Sequence, residues 1–113
     1  MTPENRIKRQ ICAWLRVKRR DIFFWVNDSV GIFDPVKKVY RSNKDPFRIK
    51  GVSDLIGILP DGKFLAIEVK TPTGRVSVEQ TAFIQKINSS GGLAFIARSL
   101  EDVEHKLQHG EQK

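Results

Sequence analysis

Apolar and polar positions recur with two different periods along this chain, and each change of period marks an element. Ile7, Ile11, Trp14 and Leu15 lie at helical spacing and form one apolar stripe. Thr2 stands ahead of it as an N-cap, with Pro3 at the first helical position and Glu4 in the first turn, so a helix opens the chain and ends at Asp21. Residues 22–26 are apolar on both faces, which predicts an internal strand. One more short strand is expected between Ile32 and Arg41, and Pro46 keeps 42–50 out of any central strand. Residues 28–50 therefore read as a loop-rich insertion. Branched and aromatic residues then fill 52–59 and 63–70 on either side of Pro60-Asp61-Gly62, the pattern of a β-hairpin. Ser77-Val-Glu-Gln80 has capping-box spacing, and Gln80, Phe83, Ile84 and Ile87 share one helical face. Gly91 and Gly92 stop that helix. Residues 93–97 form an apolar strand, expected to run parallel to an inner one because a helix precedes it. Ser99 caps a last helix to about Leu107, leaving 108–113 as a flexible tail. The order α-β-β-β-α-β-α predicts an α/β fold, a mixed central sheet flanked by helices, in one domain over residues 1–113.

Three charges interrupt the apolar hairpin: Asp54 in its first arm, Glu68 and Lys70 in its second. Glu68 and Lys70 share a face, and folding at 60–62 brings Asp54 beside Glu68. Burying such charges is costly unless they are paired or coordinate a metal. Two carboxylates, with the Val69 carbonyl as a further ligand, suit a hard cation whose shell water completes. Lys70 beside them can orient or deprotonate an attacking water. A plain Glu68–Lys70 salt bridge, with Asp54 as a turn residue, is the alternative.

Asp54 followed by Glu68-Val-Lys70 resembles the signature of PD-(D/E)xK nucleases. The wider pattern resembles the virus-type replication-repair nuclease (VRR-NUC) family, in its stand-alone phage and bacterial form. The similar elements are Glu4, Gly51-Val-Ser-Asp54, Glu68-Val-Lys70, Thr71-Pro-Thr-Gly-Arg75 and Ser77-Val-Glu-Gln80. Ser53 stands where the superfamily name has proline. The resemblance implies catalytic roles for Glu4, Asp54, Glu68, Lys70 and Gln80, with Mg²⁺ or Mn²⁺ on Asp54, Glu68 and, directly or through water, Glu4. From the residues alone, Glu4 fits a helix-dipole carboxylate equally well, and Gln80 fits a capping-box partner.

The net charge of +7 is uneven. Residues 1–50 hold 13 Lys/Arg against 5 Asp/Glu, while residues 51–113 hold 7 against 8. A basic half suits a polyanion, although a merely soluble basic surface is equally consistent. Lys18, Arg19 and Arg20 at the end of the first helix, and Lys37, Lys38, Arg41, Lys44, Arg48 and Lys50 in the insertion, are the candidate DNA contacts. Tyr40 and Phe47 lie among them for stacking on bases or sugars. No recognition-helix motif, zinc finger or Gly-rich phosphate loop is present, so backbone or structure is the expected target.

No apolar run reaches the ~20 residues that span a bilayer. The lone Cys12, on the apolar side of the first helix, suits packing and a reducing cytoplasm of a bacterial or phage-infected cell. His105 and His109 have metal-ligand spacing but no acidic or cysteine array beside them. The expected activity is a Mg/Mn-dependent endodeoxyribonuclease acting on branched DNA such as Holliday junctions. A restriction-type or nicking nuclease, and a basic binding module without catalysis, are the alternatives. Paired cuts in a junction imply a homodimer, for which Ile32, Phe33, Val36, Val39 and Tyr40 are the candidate interface.

Overall fold

The structure is a computed structural model that describes residues 1–27, 32–41 and 45–110, apart from the side chains of 32–34, 39–41, 109 and 110. Helix α1 runs Pro3–Lys18, and the Thr2 hydroxyl accepts the Asn5 N–H at 3.2 Å as its N-cap. Ile11 and Leu15 are wholly buried and Ile7 and Trp14 partly so. The helix closes where the Arg19 N–H donates to the Leu15 carbonyl and the Arg19 guanidinium grips Asp21.

Strands β1 (Phe23–Val26), β4 (Leu55–Ile58), β5 (Phe64–Val69) and β6 (Leu93–Ala97) form one sheet in the order β1-β4-β5-β6. Its first two pairings are antiparallel, and β5–β6 is parallel across helix α2 (Val78–Ser89). Between β1 and β4, strands β2 (Ile32–Asp34) and β3 (Val39–Arg41) pair, among the described residues, with each other alone, so the insertion holds a two-stranded ribbon where one strand was expected. With that ribbon set aside, the order is α-β-β-β-α-β-α around a mixed sheet.

Alternation along β5 sorts the core. Leu65, Ile67 and Val69 face α1 and the last helix α3 (Leu100–Gly110), joined by Ile11, Leu15, Leu55, Val103 and Leu107. Each such fully buried aliphatic side chain contributes roughly 1.5–3 kcal/mol. Ala66 faces the other way with Ile56 and Ala94, beneath Phe83, Ile84 and Ile87 of α2. These alanines let α2 sit low over β5 and β6. The Asn88 side chain fixes its far end by bonding both the carbonyl and the N–H of Ala94, at 2.9 and 2.8 Å. Gly91, at φ +96°, then reverses the chain, and the Gly92 N–H returns to the Ile87 carbonyl.

Two expectations are corrected. The apolar run at 22–26 is not an internal strand: β1 is a sheet edge, with Phe23 67% and Trp25 42% exposed. An all-apolar run signals burial on both faces only when layers cover both, and α2 does not reach this side. The last helix passes Leu107 and ends at Gly110, so 108–110 belong to it and not to a tail.

Candidate active site

The register Leu55↔Ile67 sets Asp54 across from Glu68, one step beyond the paired ladder. Asp54 is held on both sides. Its carbonyl accepts the Asn27 N–H at 2.8 Å, and its Oδ2 accepts the Val69 N–H at 2.9 Å. Val69 thus enters the site through its N–H. Glu68 is only 2% exposed and shares the α2 side of the sheet with Ala66. The Lys70 ammonium lies 3.8 Å from Glu68 Oε2.

Gln80 does two things that looked like alternatives in the sequence. Its Oε1 accepts the Ser77 N–H at 2.9 Å, and its backbone N–H donates to Ser77 Oγ at 3.0 Å, which completes the capping box. Its Nε2 donates to Glu68 Oε2 at 3.1 Å. A primary amide has two ends, and the first turn of α2 uses both. Gly51 allows this proximity. It sits at φ +81°, and a Cβ there would fall 2.4–2.6 Å from the backbone of Glu79 and Gln80.

Glu4 arrives from the start of α1. One carboxylate oxygen each from Glu4, Asp54 and Glu68 lie within 4.8 Å of one another. The Glu68 carboxyl is pushed up to about 8, first by burial, then by the charge and hydrogen bond of Asp54 and by the charge of Glu4, while Lys70 pulls it down. Among the described residues Glu68 Oε1 is buried without a hydrogen-bond partner, and so is the Ser53 hydroxyl. Converging carboxylates around an orphaned buried oxygen are the donor set that a hard divalent cation satisfies, and these three residues could hold one.

Arg98 gave no signal in the sequence yet shapes this edge. Its Nη1 donates to the carbonyls of Thr71 and Gly74 at 2.6 and 2.9 Å, which ties down the loop that follows Lys70. Only tertiary contact reveals such a role.

The basic candidates do not gather at the carboxylates. Lys18, Arg19 and Arg20 stand at the opposite end of α1 from Glu4, about 24 Å along a 16-residue helix. Lys37 and Lys38 are exposed in the turn of the ribbon, and Arg48 and Lys50 are exposed before Gly51. The Arg41 side chain and all of Lys44 lie outside the described residues, as do the side chains of Ile32, Phe33, Val39, Tyr40 and His109. Val36 and Phe47 are exposed. Cys12 packs against the core, and burial pushes its thiol up, which suits an inert packing residue. Among the described residues no helix is long and apolar enough to cross a membrane.

Among curated proteins and among solved structures, none matches this chain. The family model of the VRR-NUC domain matches residues 33–101, more than half of the 113 residues. The match takes in Asp54, Glu68, Lys70 and Gln80 and begins after Glu4. On that match, and with a mixed α/β core that carries the acidic cluster, the chain belongs to the VRR-NUC family of PD-(D/E)xK nucleases.

Proposed function

We propose that the chain hydrolyses DNA phosphodiester bonds with Mg²⁺ or Mn²⁺ held by Asp54, Glu68 and Glu4. The observation that carries this reading is the buried, unpartnered Glu68 Oε1 beside two further carboxylates. Among the described residues the Lys70 ammonium and the Gln80 amide both meet Oε2, and no donor meets Oε1. Bound there, the cation would polarise the scissile phosphate and offset charge on the leaving 3′-oxygen.

The chain's own residues supply the rest. Gln80 and Lys70 hold Glu68 Oε2 and leave Oε1 as the oxygen that would ligate a cation. The Val69 N–H fixes Asp54, and the Val69 carbonyl is a candidate additional ligand. Lys70, with its side chain 15% exposed, orients the attacking water and offsets negative charge at the phosphate. The basic residues of the first half hold the nucleic-acid backbone without reading sequence.

The proposed substrate is branched DNA. One chain carries one Asp54–Glu68–Lys70 set, so paired cuts at a junction need a homodimer. The test is cleavage of labelled junction, flap and linear duplex DNA with Mg²⁺ or Mn²⁺ and with EDTA, alongside sedimentation at micromolar concentration. Cleavage that persists in EDTA, or survives Asp54→Ala, ends the metal reading. Equal cutting of linear duplex ends the branched-substrate reading.

A further inference from the structure

The sheet face that carries the carboxylates continues onto β1, where no described helix covers it. Trp25 pairs with Ile56 and Phe23 with Ile58, and Ile56 and Ile58 pair in turn with Ala66 and Phe64 of β5. Directly paired residues project to the same side, so Phe23 and Trp25 lie on the face of Ile56 and Ala66. Asp54, two residues before Ile56, and Glu68, two after Ala66, share it. Helix α2 covers the β5–β6 half. Away from α2, Phe23 and Trp25 of β1, Ile58 of β4 and Phe64 at the start of β5 are 67, 42, 40 and 37% exposed. The Phe23 and Trp25 rings sit 5.4 Å apart, tilted at 50°, with aromatic surface toward solvent.

Trp25 lies two residues along β1 from the level of Asp54, about 7 Å, and Phe23 four residues along, about 13 Å. Beyond Phe23, around the open edge of β1 on the side of α1, lies a groove of about 370 Å³ in which Arg16, Arg19 and Arg20 surround Leu15, Ile22 and Phe24. Arg19 is committed to Asp21, whereas Arg16 and Arg20 are exposed. One path therefore runs from the acidic cluster over two aromatic rings and around the β1 edge to a cationic groove.

We infer that this path is a binding track for an unpaired stretch of nucleic acid, whose bases stack on Trp25 and Phe23 and whose backbone phosphates continue to Arg16 and Arg20. This rests on the nuclease reading above and deepens it by naming the form of substrate at the site. Charge complementarity selects the occupant: a polyanion meets the arginine groove, and only unpaired bases present free faces to exposed rings. In a duplex those faces are stacked against one another, and the rings would meet none. The track thus favours a single-stranded arm or an opened junction over intact duplex.

Tryptophan fluorescence tests this without cleavage. In the full chain bearing Trp14→Phe, Trp25 is the only indole. With EDTA present, a short oligothymidylate should quench its emission saturably, and a blunt duplex of equal length should not. By anisotropy of a labelled oligothymidylate, Trp25→Leu should bind roughly 5- to 150-fold more weakly, the ~1–3 kcal/mol of one base–aromatic stack. Trp25→Phe, which restores a ring, should recover most of that loss. Leucine keeps apolar bulk on the strand, so circular dichroism of Trp25→Leu should match the parent. Absence of quenching, or equal affinity for Trp25→Leu, overturns the track. So does protein-concentration-dependent shielding of Trp25 without DNA, which would assign this face to a second copy of the chain. Quenching in a protein that never cleaves would sink the hydrolytic reading and leave the track standing; cleavage without quenching would do the reverse.

Discussion

Glu68 and Phe23 lie on one face of one sheet, yet the first is 2% exposed and the second 67%. Around Glu68 the protein has fixed what it can. Gln80 and Lys70 hold one of its oxygens, the Val69 N–H holds Asp54, and Gly51 brings the preceding loop against α2. Around Phe23 little is fixed, and apolar and cationic groups face solvent. Orienting a reacting phosphate demands groups placed within fractions of an ångström. Gripping a polymer of any sequence demands charge and flat apolar surface, with no such precision. The contrast is that between chemistry and grip, and substitutions in the two halves should fail in different ways.

The largest effect is expected under α2. Asp54→Ala, Glu68→Gln and Lys70→Ala should each reduce cleavage below detection in a gel assay. Lys70→Ala should still bind DNA in a filter assay, because one lysine among 20 basic residues adds little to phosphate affinity. Glu68→Gln should also raise the melting temperature of the cation-free protein at pH 8, since it removes a buried carboxyl that faces two others.

Titration follows in size. The Glu68 carboxyl stands at about 8 when folded against 4.5 as its ordinary value. Between these values the folded state keeps a proton that the unfolded state releases. That contribution to stability is complete below about pH 4.5 and is lost as pH rises through about 8. Melts of cation-free protein should therefore show falling stability over this window. A divalent cation should offset the loss increasingly toward high pH, because it replaces the proton. A Glu68→Gln protein with the same pH profile as wild type would contradict the assignment.

Gln80 and Ser77 separate capping from chemistry. Ser77→Ala should cost about 0.5–2 kcal/mol in a denaturant melt and keep turnover per folded molecule. Gln80→Ala should cost a similar amount of stability and also lose turnover. Equal turnover in the two variants would reduce Gln80 to a cap.

The smallest effects belong to the open surface. Reversing the charges of Lys37 and Lys38, or of Lys18 and Arg20, should weaken DNA binding whatever the sequence. Each phosphate contact removed should flatten the log–log salt dependence by roughly one. An unchanged slope for both sets would place the electrostatic footprint elsewhere.

How much of this was legible in the chain divides along the same line. Thr2, Pro3 and the Ile7–Ile11–Leu15 stripe specified α1 because caps and helical period are local signals. The β4–β5 hairpin was legible because Pro60-Asp61-Gly62 fixes where the chain turns, and the turn then fixes the register that sets Asp54 across from Glu68. Layer coverage is not local. Whether the apolar run at 22–26 is central or an edge depends on which strands pair beside it, and whether its face is covered depends on how far α2 reaches; no period encodes either. The same holds for Arg98, whose two acceptors lie more than twenty residues back in the chain. Gln80 was legible as either of two roles and proved to make both contacts, because periodicity places a side chain but does not apportion the two ends of an amide.

The central claim is that Glu4, Asp54 and Glu68 together hold a divalent cation. Electron paramagnetic resonance of Mn²⁺ tests it most directly, since bound ion loses the sharp signal of free ion. Titrating Mn²⁺ into DNA-free protein at pH 8 should show saturable loss of the free signal, competed by Mg²⁺ and absent in Glu68→Gln. Undiminished binding in Glu68→Gln, or none in the wild type with and without DNA, would contradict the account.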